Sequence, residues 1–367
     1  MHKLLFVFGF IWIMFTGNAQ IIIQGKVLDN NSGLPVANAR VYLNNTSHGT
    51  VTNSEGRFTL NISSVFSGEL IVSSVGYQQV FYKLNINDAD KKLYVFKLEV
   101  KEKILNGVLI ISDTTRQLCL KVFKQNFLGI TEEAEKCTIE NLGAIYFTAD
   151  SNTIYAYADT PLIITNKLLG YKITFDLIEF YFDVNKKNTS FSGFTRYEEM
   201  GDSKKWIKRR KQNYYGSTMH FYRSLINKNL ETEGFSIFEI KKPEIKKDPV
   251  DYAENLYMDE DTVLAIPIRS ANILFIDTIS NEYYLQFTNR VMVQFFKNTR
   301  LKHYYTIESE SNRSYSNFGF TAFMDMLTDK VELDAKGIIR NPMAVVYNGF
   351  WLYEKIANQL PSNYQPD

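Results

Sequence analysis

The sequence predicts a β-rich chain, with an all-β sandwich at the N-terminus and then a larger α+β domain with an antiparallel sheet and few helices. Three observations carry that expectation. Apolar and polar residues alternate with a period of two from Ile21 to about Leu98. A run of alternating charge (Lys97, Glu99, Lys101, Glu102, Lys103) then marks a connector. Beyond it, short strand patterns are mixed with segments of helical spacing. The composition agrees with two folded bodies: of 367 residues, 45% are hydrophobic and 14% aromatic, with only 8 Pro and 19 Gly, which excludes a disordered or low-complexity chain.

In the first part, Ile23, Gly25 and Val27 alternate with Gln24 and Lys26. Ala39, Val41 and Leu43 alternate with Arg40, Tyr42 and Asn44, and Phe58, Leu60 and Ile62 with Thr59 and Asn61, while Leu70 and Val72 flank Ile71. Such alternation buries one face of each strand. Turn residues at 29–33, 53–56 and 67–68 separate the runs, and their spacing reads as a small sandwich.

Four blocks in this part follow one another in a familiar order: Gly25-Lys26-Val27, the run from Gly33 to Val41, the run from Gly49 to Phe58, and Val75-Gly76-Tyr77. Together they resemble the carboxypeptidase regulatory-like domain, which implies a seven-stranded prealbumin-like sandwich. The resemblance implies no activity. The zinc site of metallocarboxypeptidases lies on a separate domain and needs a His-x-x-Glu pair. The residues three positions after His48, His220 and His303 are Val51, Arg223 and Thr306, so this chain cannot build that site and no metal or cofactor is expected.

The first residues read as an export leader. Lys3 gives a positive start, residues 4–15 are apolar, and Gly17 and Ala19 stand at −3 and −1 of a cleavage point before Gln20. That run is shorter than the roughly 20 apolar residues of a spanning helix, so no transmembrane segment is expected in the mature chain. The expected organisation is a signal peptide over 1–19, the sandwich over 20–100 and the α+β domain over 101–367, located in the periplasm or at the outer membrane or cell surface. Export leaves two readings of Cys119 and Cys137 open. An oxidising compartment permits a bridge, contributing about 3 kcal/mol by loop closure; the apolar neighbours Leu118, Leu120, Val122 and Phe123 suit a small buried thiol instead.

In the second part, Thr114 or Thr115 is expected to cap a helix carrying Leu120, Phe123 and Phe127, with Gly129 just past its end. Strands follow at 145–148 and 154–157. In the next, Tyr171, Ile173, Phe175 and Leu177 alternate, slip at Ile178 and resume at Phe180 and Phe182, which predicts a β-bulge or a strand buried on both faces. Ser217 is expected to cap a helix with stripes Phe221–Leu225 and Tyr222–Ile226–Leu230, ended by Gly234. Strands resume at 273–276, 283–287, 291–295 and 331–335. A closing helix is expected, capped by Asn348, with Leu352, Ile356 and Leu360 in register and Pro361 as its stop. Phe127-Leu128-Gly129, residues 137–141, residues 161–171, Tyr215-Gly216-Ser217, Gly349-Phe350-Trp351 and residues 360–366 resemble blocks of an uncharacterised family of exported envelope proteins. Some of its members continue into an outer-membrane barrel. No further alternating segments follow Tyr364 here, so none is expected. That family brings no established reaction, and no catalytic residue is carried over.

The sharpest local feature is the run Lys204, Lys205, Trp206, Ile207, Lys208, Arg209, Arg210, Lys211. Lysines at a helix start oppose the macrodipole, which points to a binding patch for an anionic glycan, lipopolysaccharide phosphate or an acidic partner face, with Trp206 available to stack. The plainer reading is a solvated face balanced by Glu198, Glu199 and Asp202. Nucleic acid is not expected, since 41 basic residues meet 40 acidic ones in an exported chain. Asp259-Glu260-Asp261 lacks the spacing of a calcium loop, and neither a nucleophile elbow nor a phosphate loop occurs. The expectation is a non-catalytic envelope binding or assembly module; the alternative is an envelope enzyme acting on glycan through acids the sequence does not single out.

Overall fold

The computed structural model describes residues 21–62, 68–84, 93–101, 111–241, 264–277, 282–297, 320–334 and 336–366. Residues 1–19, expected from the sequence to be a leader, and Asp259-Glu260-Asp261 and His303 lie outside the described residues. The chain divides into two compact units, Met1–Leu43 with His48–Glu102, and Asn44–Ser47 with Lys103–Asp367.

In the first unit the described residues form seven strands: β1 (Ile21–Asp29), β2 (Arg40–Leu43), β3 (Gly49–Val51), β4 (Arg57–Ile62), β5 (Gly68–Ser73), β6 (Val80–Leu84) and β7 (Leu93–Leu98). They make two sheets, in the orders β4-β1-β7 and β3-β2-β5-β6, with β1 and β7 parallel and the other pairs antiparallel. The period-two pattern is the cause. β4 and β7 bury every second residue, and Ile23, Val27, Val41, Leu60 and Val72 fill the space between the sheets. The turn into β4 depends on Gly56 at φ +71°, a conformation that L side chains rarely adopt; Asn53 holds this turn by accepting from the N–H groups of Glu55 and Arg57.

The second unit contains two cores. The first packs α1 (Asp113–Phe127) and the short α2 (Glu132–Glu135) on a sheet of β8 (Cys137–Ile139), β9 (Ile145–Ala149), β10 (Thr153–Ala158), β11 (Leu162–Asn166), β12 (Tyr171–Asp183) and β13 (Asn188–Glu199). The axis of this sheet is β12. β13 pairs along one edge of it, while β11 takes the first half of the other edge and β10 the second. The register shifts between Leu177 and Glu179, and Ile178 is 50% exposed, so the slip in the sequence is a β-bulge. Phe123 and Phe127 of α1 stack at 4.8 Å and meet Phe180 and Phe175 edge-on at 4.8 and 4.9 Å. Ser112, not Thr114 or Thr115, caps this helix, because its Oγ accepts from the N–H of Thr115, by which point the chain is already helical.

Helix α3 (Lys204–Tyr214) still packs on the first core, to which it contributes Tyr214; the second core joins α4 (Thr218–Ile226) and α5 (Leu230–Glu233) to β14 (Phe235–Lys241), β15 (Leu264–Pro267), β16 (Leu274–Asp277), β17 (Glu282–Leu285), β18 (Val291–Phe295), β19 (Phe320–Met326), β20 (Val331–Leu333) and β21 (Val345–Gly349). The strands form antiparallel sheets in the orders β15-β14-β18-β19-β21 and β16-β17-β20. Ser217 caps α4 as expected, and Gly234, at φ +95°, closes α5. The expected closing helix does not form. Asn348 lies in β21, and the residues after it make two 3₁₀ turns, Phe350–Tyr353 and Ile356–Asn358. Both Phe350 and Trp351 are drawn into the core, against Phe320 and Phe221, while Glu354 and Lys355 are extended; a continuous helix would have turned part of this set to solvent.

Phe123→Ala is expected to cost about 3–5 kcal/mol in urea unfolding, because the ring sits at the centre of the first core of this unit.

Candidate functional site

The cation-rich run forms helix α3, and its spacing sorts the residues into two sets. Trp206, Arg210 and Asn213 or Tyr214 recur at helical intervals on the inward stripe. The Trp206 ring lies over Gly170, which has φ +69°; a Cβ there would stand 2.2 Å from the indole Cδ2, so only glycine fits. Its Nε1–H donates to the carbonyl of Lys167 at 3.0 Å. Trp206 is thus a packing residue rather than an open stacking surface. Arg210 is only 5% exposed. Its Nε and Nη2 donate to the carbonyls of Leu169 (2.8 Å) and Gly170 (2.9 Å), its Nη1 to Glu199 (2.7 Å), and the guanidinium lies 4.0 Å from the centre of the Tyr171 ring. Arg209 makes a two-pronged pair with Glu132 of α2, at 3.1 and 3.2 Å.

What remains for a ligand is narrower than the sequence suggested. Arg209 and Arg210 hold the helix in place, and Lys211 is half-buried and engaged. Lys204, Lys205 and Lys208 are exposed and make no ion pair among the described residues. Two lysines that the sequence did not flag stand beside them. Lys167 is the residue whose carbonyl receives Trp206, its own N–H donates to the carbonyl of Lys136, and both side chains are exposed. Nothing in their sequence spacing signals this, because the contact runs through backbone atoms of separate elements.

Cys119 and Cys137 are free thiols. Burial pushes both upward, Cys137 to about 12 with the carboxylate of Glu133 adding to the effect, so neither is a ready nucleophile at neutral pH. Cys137 lines a cleft of about 430 Å³ with Leu128, Ile130, Ala134, Ile139 and Leu142, where the single carboxylate is Glu135. Among the described residues no group of three or more His, Cys, Asp or Glu could hold a metal ion, and no helix is long and apolar enough to cross a membrane.

His220 is buried. Gly216 donates its N–H to Nδ1 at 3.1 Å, so the proton sits on Nε2, which donates to Glu233 at 3.1 Å; Tyr214, Tyr215, Phe235 and Phe295 surround the ring. Burial holds its pKa below the ordinary value of 6.5, against the upward pull of Glu233. Among the described residues no hydroxyl is bonded to the ring, whose two nitrogens meet Gly216 and Glu233. The Ser217 Oγ donates instead to the carbonyl of Tyr214 while accepting from the backbone N–H of His220.

Residues 23–110, which take in nearly all of the seven-stranded first unit, match the model of the CarboxypepD_reg-like domain. That family is a non-catalytic, regulatory-like one. No curated protein matches the chain. Among solved structures, a candidate carbohydrate-binding protein from Bacteroides uniformis ATCC 8492 is 9% identical, over 85% of this chain and 98% of that one, with a TM-score of 0.18. A 9R-lipoxygenase from Cyanothece PCC8801 is also 9% identical, over 56% of this chain and 48% of that one, with a TM-score of 0.18. At that score neither likeness carries an argument about fold or ligand.

Arg210→Ala is expected to destabilise the chain by about 1–3 kcal/mol, since it leaves the buried carbonyl of Leu169 without its donor and removes one of the donors to Gly170, whereas Lys205→Ala stays within about 0.5 kcal/mol; chemical denaturation separates the two. His220 gives a pH signature. Its folded pKa is depressed, so the unfolded chain takes up the proton first. The stability held by neutral His220 is therefore full above about pH 6.5 and is lost as the pH falls through 6.5 toward the folded value. A His220→Gln variant should lose that component of the pH dependence in thermal melts.

Proposed function

We propose that the protein is a non-catalytic, exported cell-envelope protein, a binding or assembly module whose second unit contacts an anionic glycan or lipopolysaccharide phosphate. The observation that carries this reading is the set of exposed lysines, Lys136, Lys167, Lys204, Lys205 and Lys208, standing on a frame that Trp206, Arg209 and Arg210 lock from within. Lysine suits such a role. Its ammonium is a compact charge that meets phosphate or carboxylate without a fixed approach angle, and surface charges act together within a Debye length of about 8–10 Å. The regulatory-like sandwich supports a recognition role, and the leader at 1–19 supports export to the periplasm or the outer surface. The glycan-acting enzyme, the other expectation from the sequence, draws no support from the cleft at Cys137, whose lining offers one carboxylate where acid–base cleavage of a glycosidic bond uses two.

Charge reversal at Arg209 and Arg210 would break the helix supports rather than test the surface. The informative variant is Lys204→Glu/Lys205→Glu/Lys208→Glu. It should keep the wild-type melting temperature and weaken binding to vesicles containing lipopolysaccharide about tenfold or more, and wild-type binding should fall as salt is raised. Unchanged vesicle binding dismisses the lysine surface, and a full-length N-terminus, in place of one starting at Gln20, dismisses export.

A further inference from the structure

Strands β9 and β10 and the second half of β12 turn a differently built face to solvent. Alternation sends Ile145, Phe147, Ile154, Ala156 and Phe180 inward, and Tyr146, Tyr155, Tyr157 and Tyr181 outward. The register sets Tyr157 opposite Tyr146 and Tyr155 opposite Tyr181, so the four rings form one ladder across three strands. Tyr155 and Tyr157 are parallel to within 13°, with centroids 6.5 Å apart, and Tyr155 lies 5.2 Å from Tyr181. Tyr146 is 41% exposed and Tyr157 44%.

The chemistry of this strip narrows what can lie on it. The outward positions of β9 and β10 are Tyr146, Thr148, Thr153, Tyr155 and Tyr157, and each bears a hydroxyl. The charged neighbours on β12 are the carboxylates Glu179 and Asp183, and no Lys or Arg occurs in β9, β10, residues 179–183 or residues 188–192. Lys186 and Lys187 stand beyond Asp183 in the turn to β13, so the sign is negative along the ladder itself, opposite to that of the lysine surface, and phosphate-bearing or uronate-bearing ligands are disfavoured there. An aliphatic protein face would leave the hydroxyls without partners. A pyranose chain matches on both counts: its C–H faces cover aromatic rings, while its hydroxyls donate to carboxylates and exchange hydrogen bonds with tyrosine and threonine.

We propose that the tyrosine ladder of β9, β10 and β12 is a stacking platform for an uncharged oligosaccharide. The proposal shares with the previous section the reading of the protein as a binding module, but it uses a separate surface. The test titrates the purified full chain with maltohexaose, cellohexaose and laminarihexaose by calorimetry. Binding to at least one is expected, with Tyr155→Ala and Tyr157→Ala each weakening it about tenfold or more at an unchanged melting temperature. Tyr157→Phe, which keeps the ring, should retain most of the affinity. The lysine charge-reversal variant should bind the sugar as the wild type does, and the alanine variants should keep vesicle binding, so that the two surfaces fail separately. No binding to any of the three sugars, binding unaffected by the alanine substitutions, or sugar binding lost with the lysines would each overturn the ladder.

Discussion

One buried guanidinium organises the second unit. Arg210 carries its charge into the protein because every donor that points inward finds an acceptor: two carbonyls from the turn between β11 and β12, and the carboxylate of Glu199 at the end of β13. The Tyr171 ring beneath it is the first residue of β12. A single side chain therefore ties the end of the hairpin formed by β12 and β13 to α3, the helix that carries Lys204, Lys205 and Lys208. A buried charge with only one of these partners would be a liability; with all of them it specifies an arrangement.

Arg223 repeats the device at the other end of the chain. It donates to the carbonyls of Ser362, Tyr364 and Lys336, which pins the C-terminal segment along α4. Around it a buried polar chain runs from Thr131 to Asn358, from Asn358 to Glu133, and from Asn213 to the carbonyl of Asn358, while Asn166 holds the carbonyl of Ala357. Blocks that stand apart in the sequence, at 161–171, 215–217, 349–351 and 360–366, meet here: Trp351 donates to the carbonyl of Gly216, and the tail answers Arg223. These blocks thus supply residues that tie two cores together.

The first unit was legible because one face of each strand is buried, so that period two appears directly in the residue types. The slip at Ile178 was legible for the same reason. The closing helix was misread because Leu352, Ile356 and Leu360 imitate a helical stripe, while the burial of both Phe350 and Trp351 is a tertiary demand that spacing does not show. β13 escaped notice since much of it is half-buried on both faces, leaving no alternation to see. In the cation-rich run, charge concealed the pattern that mattered: positions 206, 210 and 213 were already at helical intervals, but an arginine is read as surface until a carbonyl is found for each of its donors. Lys136 and Lys167 could not have been found from spacing at all.

The bulge in β12 acts as a phase shifter. In the first half of the strand the odd-numbered residues Tyr171, Ile173, Phe175 and Leu177 enter the core, and after Ile178 it is Phe180 that does so. A regular strand of the same length, with no residue bulged out at that point, would continue the odd parity, delivering Tyr181 and Asp183 to the interior and expelling Phe180 and Phe182. One supernumerary isoleucine thereby lets a single continuous strand serve two neighbours, β11 and β10, with opposite parity, and sets which half of the sheet shows aromatic hydroxyls to water.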